Sequence, residues 1–393
     1  MHGVSAYKAE GTLRRPPPSR LPPMSSSIST PADIAPLAPG EPLPHRKILR
    51  TWITPFADKS TLRAIALLVM DYAIWLALIA ATVLSPSIIV KIIAGNVAGF
   101  WIGRLFILGH DACHQSFTPF RGLNKLLGRI AFLPSVTPYS VWEIGHNVVH
   151  HGQTNLKGFD TIWVPMSVAE YAALDPMARR MERLYRNGWG VGLYYMIEMW
   201  WNKMFFPNRH HLPTRRPSFF WDSVLVGGFV VLWAAALVAA ALVTDQAIWL
   251  TLLCGLVIPF LFWNTMIGFV VYLHHTHPQV RWYDNKSEWT RAQPFVSTTV
   301  HVRCGWLFDR LLHQIMEHTA HHVDMGIPLY NLQAAQSRLE ELLPGRIVIE
   351  RFSWRRYFQI ASLCKLYDFE RKRWLDFDGR ETPGQDEAAP ANA

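Results

Sequence analysis

The sequence predicts an all-α integral membrane protein, with four transmembrane helices in two hairpins and a histidine-rich cap on the cytoplasmic side. Three observations predict it. Uninterrupted apolar runs at Ala64–Leu84, Ile88–Gly109, Ser223–Val243 and Ile248–Val271 are each about 20 residues or slightly more, enough to cross a hydrocarbon core of ~30 Å. The basic residues avoid the short links inside each pair of runs. The histidines gather in dense groups in the segments outside those links.

Composition narrows the alternatives. Of 393 residues, 50% are hydrophobic and only 17% charged, with 17 Trp and 17 His. A disordered solvating chain would lack this apolar and aromatic content. The four cysteines, Cys113, Cys254, Cys304 and Cys364, form no CxxC pair, so neither a disulfide scaffold, a thiolate zinc site nor a dithiol redox motif is suggested.

The elements follow in order. Residues 1–50 are rich in Pro and Ser without apolar period and read as a disordered arm; no apolar stretch follows the basic residues as a signal peptide would require. The domain then runs over 51–375, and 376–393 reads as a disordered tail. The first span carries Asp71 and the second Lys91 and Arg104; Ser85-Pro86-Ser87 joins these two, and Thr244–Ala247 joins the third and fourth. Trp189–Phe206 is aromatic but holds Glu198 and Lys203, which suits an interfacial helix better than a fifth span. Gly128–Val141 is too short to cross and holds Pro134 and Pro138, which suits an interfacial or re-entrant piece.

Charge fixes orientation. Nine Lys/Arg precede the first span, twelve lie between His110 and Ser218, and fifteen follow His274, while both hairpin turns carry none. With two hairpins these segments share one side, and the positive-inside rule makes it the cytoplasm. The formal charge of +9 therefore reads as topology and contact with anionic lipid rather than nucleic-acid binding. Buried core helices of a soluble protein would not produce this asymmetry.

The histidine groups are His110-Asp-Ala-Cys-His114, His146-Asn-Val-Val-His150-His151, His318-Thr-Ala-His321-His322 and His274-His275-Thr-His277. On a helix, i and i+3 or i+4 share a face, so His110 with His114, His146 with His150, and His318 with His321 and His322 can aim two rings at one centre. One HxxxH alone is more often a solvated face. Eight or nine histidines on one membrane side exceed the needs of one ion and fit two, and neutral imidazole suits Fe, Zn and Cu.

With these residues in view, the chain resembles the membrane fatty acid desaturases, most closely the acyl-lipid Δ12/ω-6 type. The resemblance runs from about Phe56 to about Leu366. It rests on HDACH, on WEIGHNVVHHGQTN followed by Asp160 and WVP, on YLHHTHP with a later SEW, and on HTAHH followed by IPLYNL. It implies a diiron centre in the cap, ligated by His110, His114, His146, His150, His151, His318, His321 and His322, with His275 the choice for an extra ligand and His277 its competitor. His313 is an expected outer partner of the centre. The second box has three residues between His146 and the His pair where the commonest pattern has two. Asp111, Asp160, Glu317 and Asp324 are near enough in sequence to orient the rings.

The resemblance further implies O₂-dependent formation of a cis double bond in a fatty acyl chain, acyl-lipid being the favoured form. The cofactors would be two Fe ions with O₂ as cosubstrate, and electrons would come from outside, from a ferredoxin-like or cytochrome-b5-like donor. The chain has no GxGxxG fingerprint and no haem or iron–sulfur motif. A bacterial inner membrane is the expected location, and an apolar acyl tunnel is expected. The nearest rivals are a diiron hydroxylase or epoxygenase and a carotenoid ketolase. A metal transporter would place its ligands within the spans instead.

Overall fold

The computed structural model describes residues 34–207, 212 and 214–384. A short helix, α1 (Arg46–Ile53), precedes two long ones, α2 (Thr61–Leu84) and α3 (Ile88–Cys113). Ser60 and Ser87 cap the latter two, their hydroxyls accepting from the Arg63 and Val90 amides. After α4 (Arg121–Phe132), α5 (Tyr139–Ile144) continues as a π-helical turn, Gly145–His150. Two small helices follow, α6 (Val168–Ala173) and α7 (Pro176–Tyr185). Then α8 (Val191–Tyr194) runs into the π-helix Tyr195–Phe205.

The second long pair is α9 (Pro217–Val243) and a continuous helix made of α10 (Ile248–Leu252), the π-turn Leu253–Val257 and α11 (Ile258–His275). Among the described residues four helices are long and apolar enough to cross a membrane: Thr61–Leu84, Ile88–Cys113, Pro217–Val243 and Ile248–His275. The helix Val191–Phe205 is shorter than a span and lies closely against α11, where a Cβ on Gly192 would come within 2.7 Å of the Thr265 Cα.

α3 is the central helix. Its apolar window is 67% buried, against 17% for α9, and a Cβ on Gly99 would meet the Cβ of Phe262 on α11 at 2.6 Å. Pro259 lacks the N–H that would bond the Gly255 carbonyl, and the π-turn just before it relieves the ring; Trp233 Nε1 of α9 donates to that carbonyl at 3.2 Å. Without water to satisfy it, a freed carbonyl in a span needs such a partner.

The charged residues inside the spans are all partnered. Lys91 Nζ donates to the Thr82 and Val83 carbonyls at 2.7 and 3.0 Å, capping the C-terminal end of α2. Asp71 is fully buried and accepts from Arg104 Nε at 2.9 Å and His313 Nε2 at 2.7 Å; Arg104 Nη1 also donates to the Leu311 carbonyl. One carboxylate thus joins α2, α3 and the segment that leads into the last histidine group.

The remaining elements form the cap. They are α12 (Lys286–Ala292), β1 (Val300–Arg303), α13 (Trp306–Leu311), α14 (His318–Val323), α15 (Leu332–Leu342), β2 (Val348–Arg351), α16 (Trp354–Leu363), β3 (Leu366–Asp368) and β4 (Arg373–Leu375). β1 pairs in parallel with β2, and β3 antiparallel with β4.

The expected arm and tail need correction where they are described; residues 1–33 and 385–393 lie outside the described residues. Leu37 donates its amide to the Leu342 carbonyl at 3.0 Å, and residues 46–50 begin α1, whose Leu49, Trp52 and Ile53 are buried. At the other end the Asp376 amide donates to the Arg380 carbonyl at 2.9 Å, and Glu381 bridges Leu375. The polar composition of both stretches hid a few apolar anchors that suffice to dock them.

Removing the Asp71 charge leaves the Arg104 guanidinium buried without a counter-ion, which costs about 3–5 kcal/mol for a buried pair. Asp71→Asn is expected to lower the thermal midpoint of the detergent-solubilised protein, followed by tryptophan fluorescence. An unchanged midpoint would show that the triad does not hold the spans together.

Candidate metal centre

Four elements bring histidines to one place. His110 ends the last turn of α3 and His114 follows it; His146 and His150 lie on the π-turn with His151 just after; His275 ends α11; His318, His321 and His322 lie on α14. They form two groups, His110, His114, His146, His151 and His321 in one and His150, His275, His318 and His322 in the other, and within each group the offered nitrogens all lie within 4.8 Å of one another.

The expected pairing of His146 with His150 is not what the structure shows. A π-turn bonds i to i+5, and here the His151 amide donates to the His146 carbonyl at 2.9 Å. That winding puts His146 and His151 on one face, their Nε2 atoms 3.1 Å apart, and turns His150 to the other group. The third residue between His146 and the His pair is what the wider turn absorbs. In α14 the α-helical i, i+4 rule holds for His318 and His322, whose Nε2 atoms are 3.0 Å apart, while His321 joins the first group.

Four of the outer ring nitrogens are fixed by acceptors. His150 Nδ1 donates to Asp160 Oδ1 at 3.0 Å, His275 Nδ1 to the Thr298 carbonyl at 3.2 Å, and His110 Nδ1 to Asp111 Oδ1 at 3.3 Å. Thr154 gives its hydroxyl proton to the His150 carbonyl and accepts from His322 Nδ1 at 3.2 Å. Asp160 also accepts the Asn155, Thr161 and Ile162 amides, and Asp111 the Leu329 amide. Burial pushes the Asp160 carboxyl up, but the His150 ring and the amide donors outweigh it and hold it below its ordinary value.

These donors keep Nε2 as the lone-pair nitrogen in each of the four rings. Nε2 atoms face one another at 3.3 Å for His110 and His114, 3.1 Å for His151 and His321, and 3.0 Å for His275 and His318. Burial, then the neighbouring rings, lower the pKa of His114, His146, His151, His318, His321 and His322 well below the usual value. Neutral rings with converging lone pairs repel unless a cation lies between them, and ligands ~2.1 Å from a shared ion sit about 3 Å apart. The donor set therefore fits two metal ions.

Other expected participants lie elsewhere. His277 is bonded to Glu350 at 3.0 Å, outside both groups. His313 is bonded to Asp71. Asp324 pairs with Arg50 at 3.0 Å and accepts the Gly326 amide, and Glu317 pairs with His301 at 2.6 Å; neither bonds a ring of the two groups. Closeness in sequence failed here because α14 is so short that Glu317 and Asp324 flank it and point away from the rings.

Two residues, Arg46 and Gln336, were missed, and His274 was grouped with its neighbours but given no role. Arg46, in the expected arm, donates to the Val323 carbonyl at 3.1 Å and the His151 carbonyl at 3.5 Å, covering the first group. His274 stacks on His318 with centroids 3.7 Å apart. Gln336 of α15 accepts the Ala320 amide at 2.8 Å, acting as the cap that α14 lacks in its own sequence.

A cavity opens onto both groups, touching His110 and His146 of the first and His150, His275 and His318 of the second. Its wall is apolar, with Phe106 and Ile107 from α3, Trp142 from α5, Met199 from the π-helix, and Ile267 and Val270 from α11. Trp142 stacks on His146 at 4.1 Å, so wall and site are continuous.

Comparison with known proteins gives a consistent picture. The family model described as fatty acid desaturase matches residues 86–354. The sn-1 oleoyl-lipid 12-desaturase of Synechocystis sp. is 31% identical over 280 residues, covering 70% of this chain and 76% of that protein. The chloroplastic omega-6 fatty acid desaturase of Glycine max is 27% identical over 340 residues, 84% of this chain and 76% of its own. The sn-1 acyl-lipid omega-3 desaturase (ferredoxin) of Nostoc sp. is 31% identical over 253 residues, 62% of this chain and 65% of its own.

Two predictions follow from the ring partners. Asp160→Asn is expected to weaken metal retention about 10–100-fold, the usual cost of losing an outer partner of a ligating histidine; metal content after dialysis against chelator measures it, and full retention would remove Asp160 from this role. The second concerns His301, bonded to Glu317 and Glu340: burial lowers its pKa, but the two carboxylates overcome that and raise it from 6.5 to about 9. Its stabilising contribution is complete below about 6.5 and is lost as pH rises toward 9. The thermal midpoint of His301→Gln relative to the parent should therefore be most reduced near pH 6 and converge above pH 9; a constant difference would refute the ion pairs.

Proposed function

The chain belongs to the fatty acid desaturase family, and from that premise we propose that it introduces a cis double bond of the Δ12/ω-6 type into the acyl chain of a membrane lipid. The enzyme is an oxidoreductase of lipid metabolism. The observation that carries the finer reading is the apolar cavity opening onto both imidazole groups: its wall can lay saturated methylenes beside a metal centre while excluding water. The names of the Synechocystis and Glycine relatives support the regiochemistry and the lipid-linked substrate.

In this reading two irons are held by His110, His114, His146, His151 and His321 in one group and by His150, His275, His318 and His322 in the other. Bound iron with O₂ supplies what no side chain can, an oxidant able to break alkyl C–H bonds. Each turnover takes two hydrogens from the chain and two electrons and two protons from outside, and reduces O₂ to two waters.

The protein's own work is positional. Asp111, Asp160, Thr154 and the Thr298 carbonyl keep the lone pairs of His110, His150, His322 and His275 turned inward. Trp142 presses on His146 and closes the wall of the cavity at the site.

The electron donor is proposed to be ferredoxin-like, with cytochrome-b5-like as the alternative; the Nostoc relative carries ferredoxin in its name. The arrangement proposed in the membrane is two hairpins with both termini and the centre cytoplasmic, in a bacterial inner membrane. It is supported by the exclusion of Lys and Arg from both short links and by the meeting of the C-terminal ends of α3 and α11 at the histidines.

Expression in a host that makes only saturated and monounsaturated lipids, with a working donor, should yield dienes with methylene-interrupted bonds. A hydroxylated product would move the assignment to the hydroxylase chemistry, and unchanged lipids would overturn it. His150→Ala should abolish the product and lower bound iron while the protein stays in the membrane.

A further inference from the structure

The acyl cavity has one charged side chain in its wall besides the histidines, Lys203 on the π-helix Tyr195–Phe205. Its ammonium donates to the Thr161 carbonyl at 2.8 Å and lies 3.6 Å from the Met199 sulfur. Among the described residues no carboxylate comes within ion-pair reach. Glu198, the nearest on its own helix, is occupied by the Tyr185 hydroxyl at 3.0 Å and by Asn202 at 3.5 Å. Burial lowers the Lys203 amine to about 8 against the pull of Glu198 and Asp160, so it is still protonated at neutral pH.

A cation with three donors, only one of them on a carbonyl, is an unlikely choice for a purely apolar wall. Methionine or leucine would fill the same space without the cost of desolvating a charge. An acyl chain, for its part, is apolar except at its carboxyl end, whose oxygen must find a donor if it leaves water. The two needs are complementary. Apart from the histidines, the polar group of the wall nearest to Lys203 is the Thr161 carbonyl, which it already holds.

We propose that Lys203 is the polar anchor of the acyl cavity, donating to the oxygen at the carboxyl end of the substrate chain and so fixing which methylenes lie under the imidazoles. The inference rests on the acyl-desaturase reading of the cavity. The shared chemistry is an acyl carbonyl or a neighbouring anionic oxygen, and it is present in both an acyl glycerolipid and an acyl thioester. The anchor is also tied rigidly to the centre, because the carbonyl it holds belongs to the residue after Asp160, which orients His150. A chain held there is registered against the second group of histidines.

The test uses the full chain with iron, in lipid nanodiscs, as parent, Lys203→Met and Lys203→Arg. Equilibrium binding is measured for an oleoyl glycerolipid, for an oleoyl thioester and for octadecene, which has the same hydrocarbon length without the oxygen. Lys203→Met should weaken binding of at least one oxygen-bearing ligand about tenfold, leave octadecene binding and iron content unchanged, and be partly rescued by Lys203→Arg. Whichever of the two oxygen-bearing ligands loses affinity identifies the source. Equal loss for all three ligands, loss of iron, or no change would overturn the anchor and leave Lys203 a support of the Thr161 turn. Product formation by the parent is followed separately. A parent that binds oleoyl lipid through Lys203 but forms no double bond would remove the desaturase reading alone, and a parent that desaturates while Lys203→Met binds normally would remove the anchor alone.

Discussion

Nine rings from four separate segments bring ring nitrogens to within 4.8 Å of one another inside each of two groups, and much of the cap is arranged to meet that demand. Four of the rings, His110, His150, His275 and His322, are clamped from behind at Nδ1, which keeps a lone pair rather than an N–H turned inward. The clamps also tie the segments to each other. Thr154 bonds the second group of the sequence to the third through the His150 carbonyl and His322, and Asp111 reaches from α3 to the Leu329 amide beyond α14. α14 itself has barely more than one turn and no capping side chain, so it borrows Gln336, which is held in turn by Glu340 and through it by His301 and Arg303.

The polar residues inside the spans solve a related problem, that of seating this cap on apolar helices. Asp71 alone would be intolerable in hydrocarbon. Enclosed by Arg104 and His313 it becomes a joint, and the further bond from Arg104 to the Leu311 carbonyl places the start of the last histidine segment against α2 and α3. Lys91 has a different role, covering carbonyls that α2 leaves open at its end. What looks in sequence like imperfection in the first two spans is the coupling between membrane helices and metal cap.

The sequence was most legible where a single period governed it. Four apolar runs of spanning length and the i, i+4 pairs at His110 and His114 and at His318 and His322 needed only helix geometry, and the helices are there. It was least legible where backbone departed from the α-helix. Nothing in His146-Asn-Val-Val-His150-His151 announces a π-turn, yet that turn decides which ring faces which group. Carboxylates adjacent in sequence gave a mixed result for a simple reason. Asp111 lies in the helical turn that carries His110, and Asp160 folds back beneath the second box, whereas Glu317 and Asp324 sit at the two ends of a helix and bond His301 and Arg50. Arg46 was missed because composition described its neighbourhood as a whole, and one apolar face of eight residues is enough to dock a helix.

An all-imidazole donor set has one further consequence. Carboxylate ligands would neutralise a bound cation directly; neutral rings bring it no negative charge, and the adjacent cavity wall offers none. Compensation has to lie one ring further out. Asp111 bonds the outer nitrogen of His110 in the first group and Asp160 that of His150 in the second, so each group has one buried carboxylate behind it. The charge is thereby kept off the face that meets the cavity, where a carboxylate would draw in water and oppose an apolar chain. Distributing one anion to the rear of each group reconciles a cationic centre with an apolar cavity on its open side, and it explains why these two aspartates, among the several close in sequence, are the ones turned toward the rings.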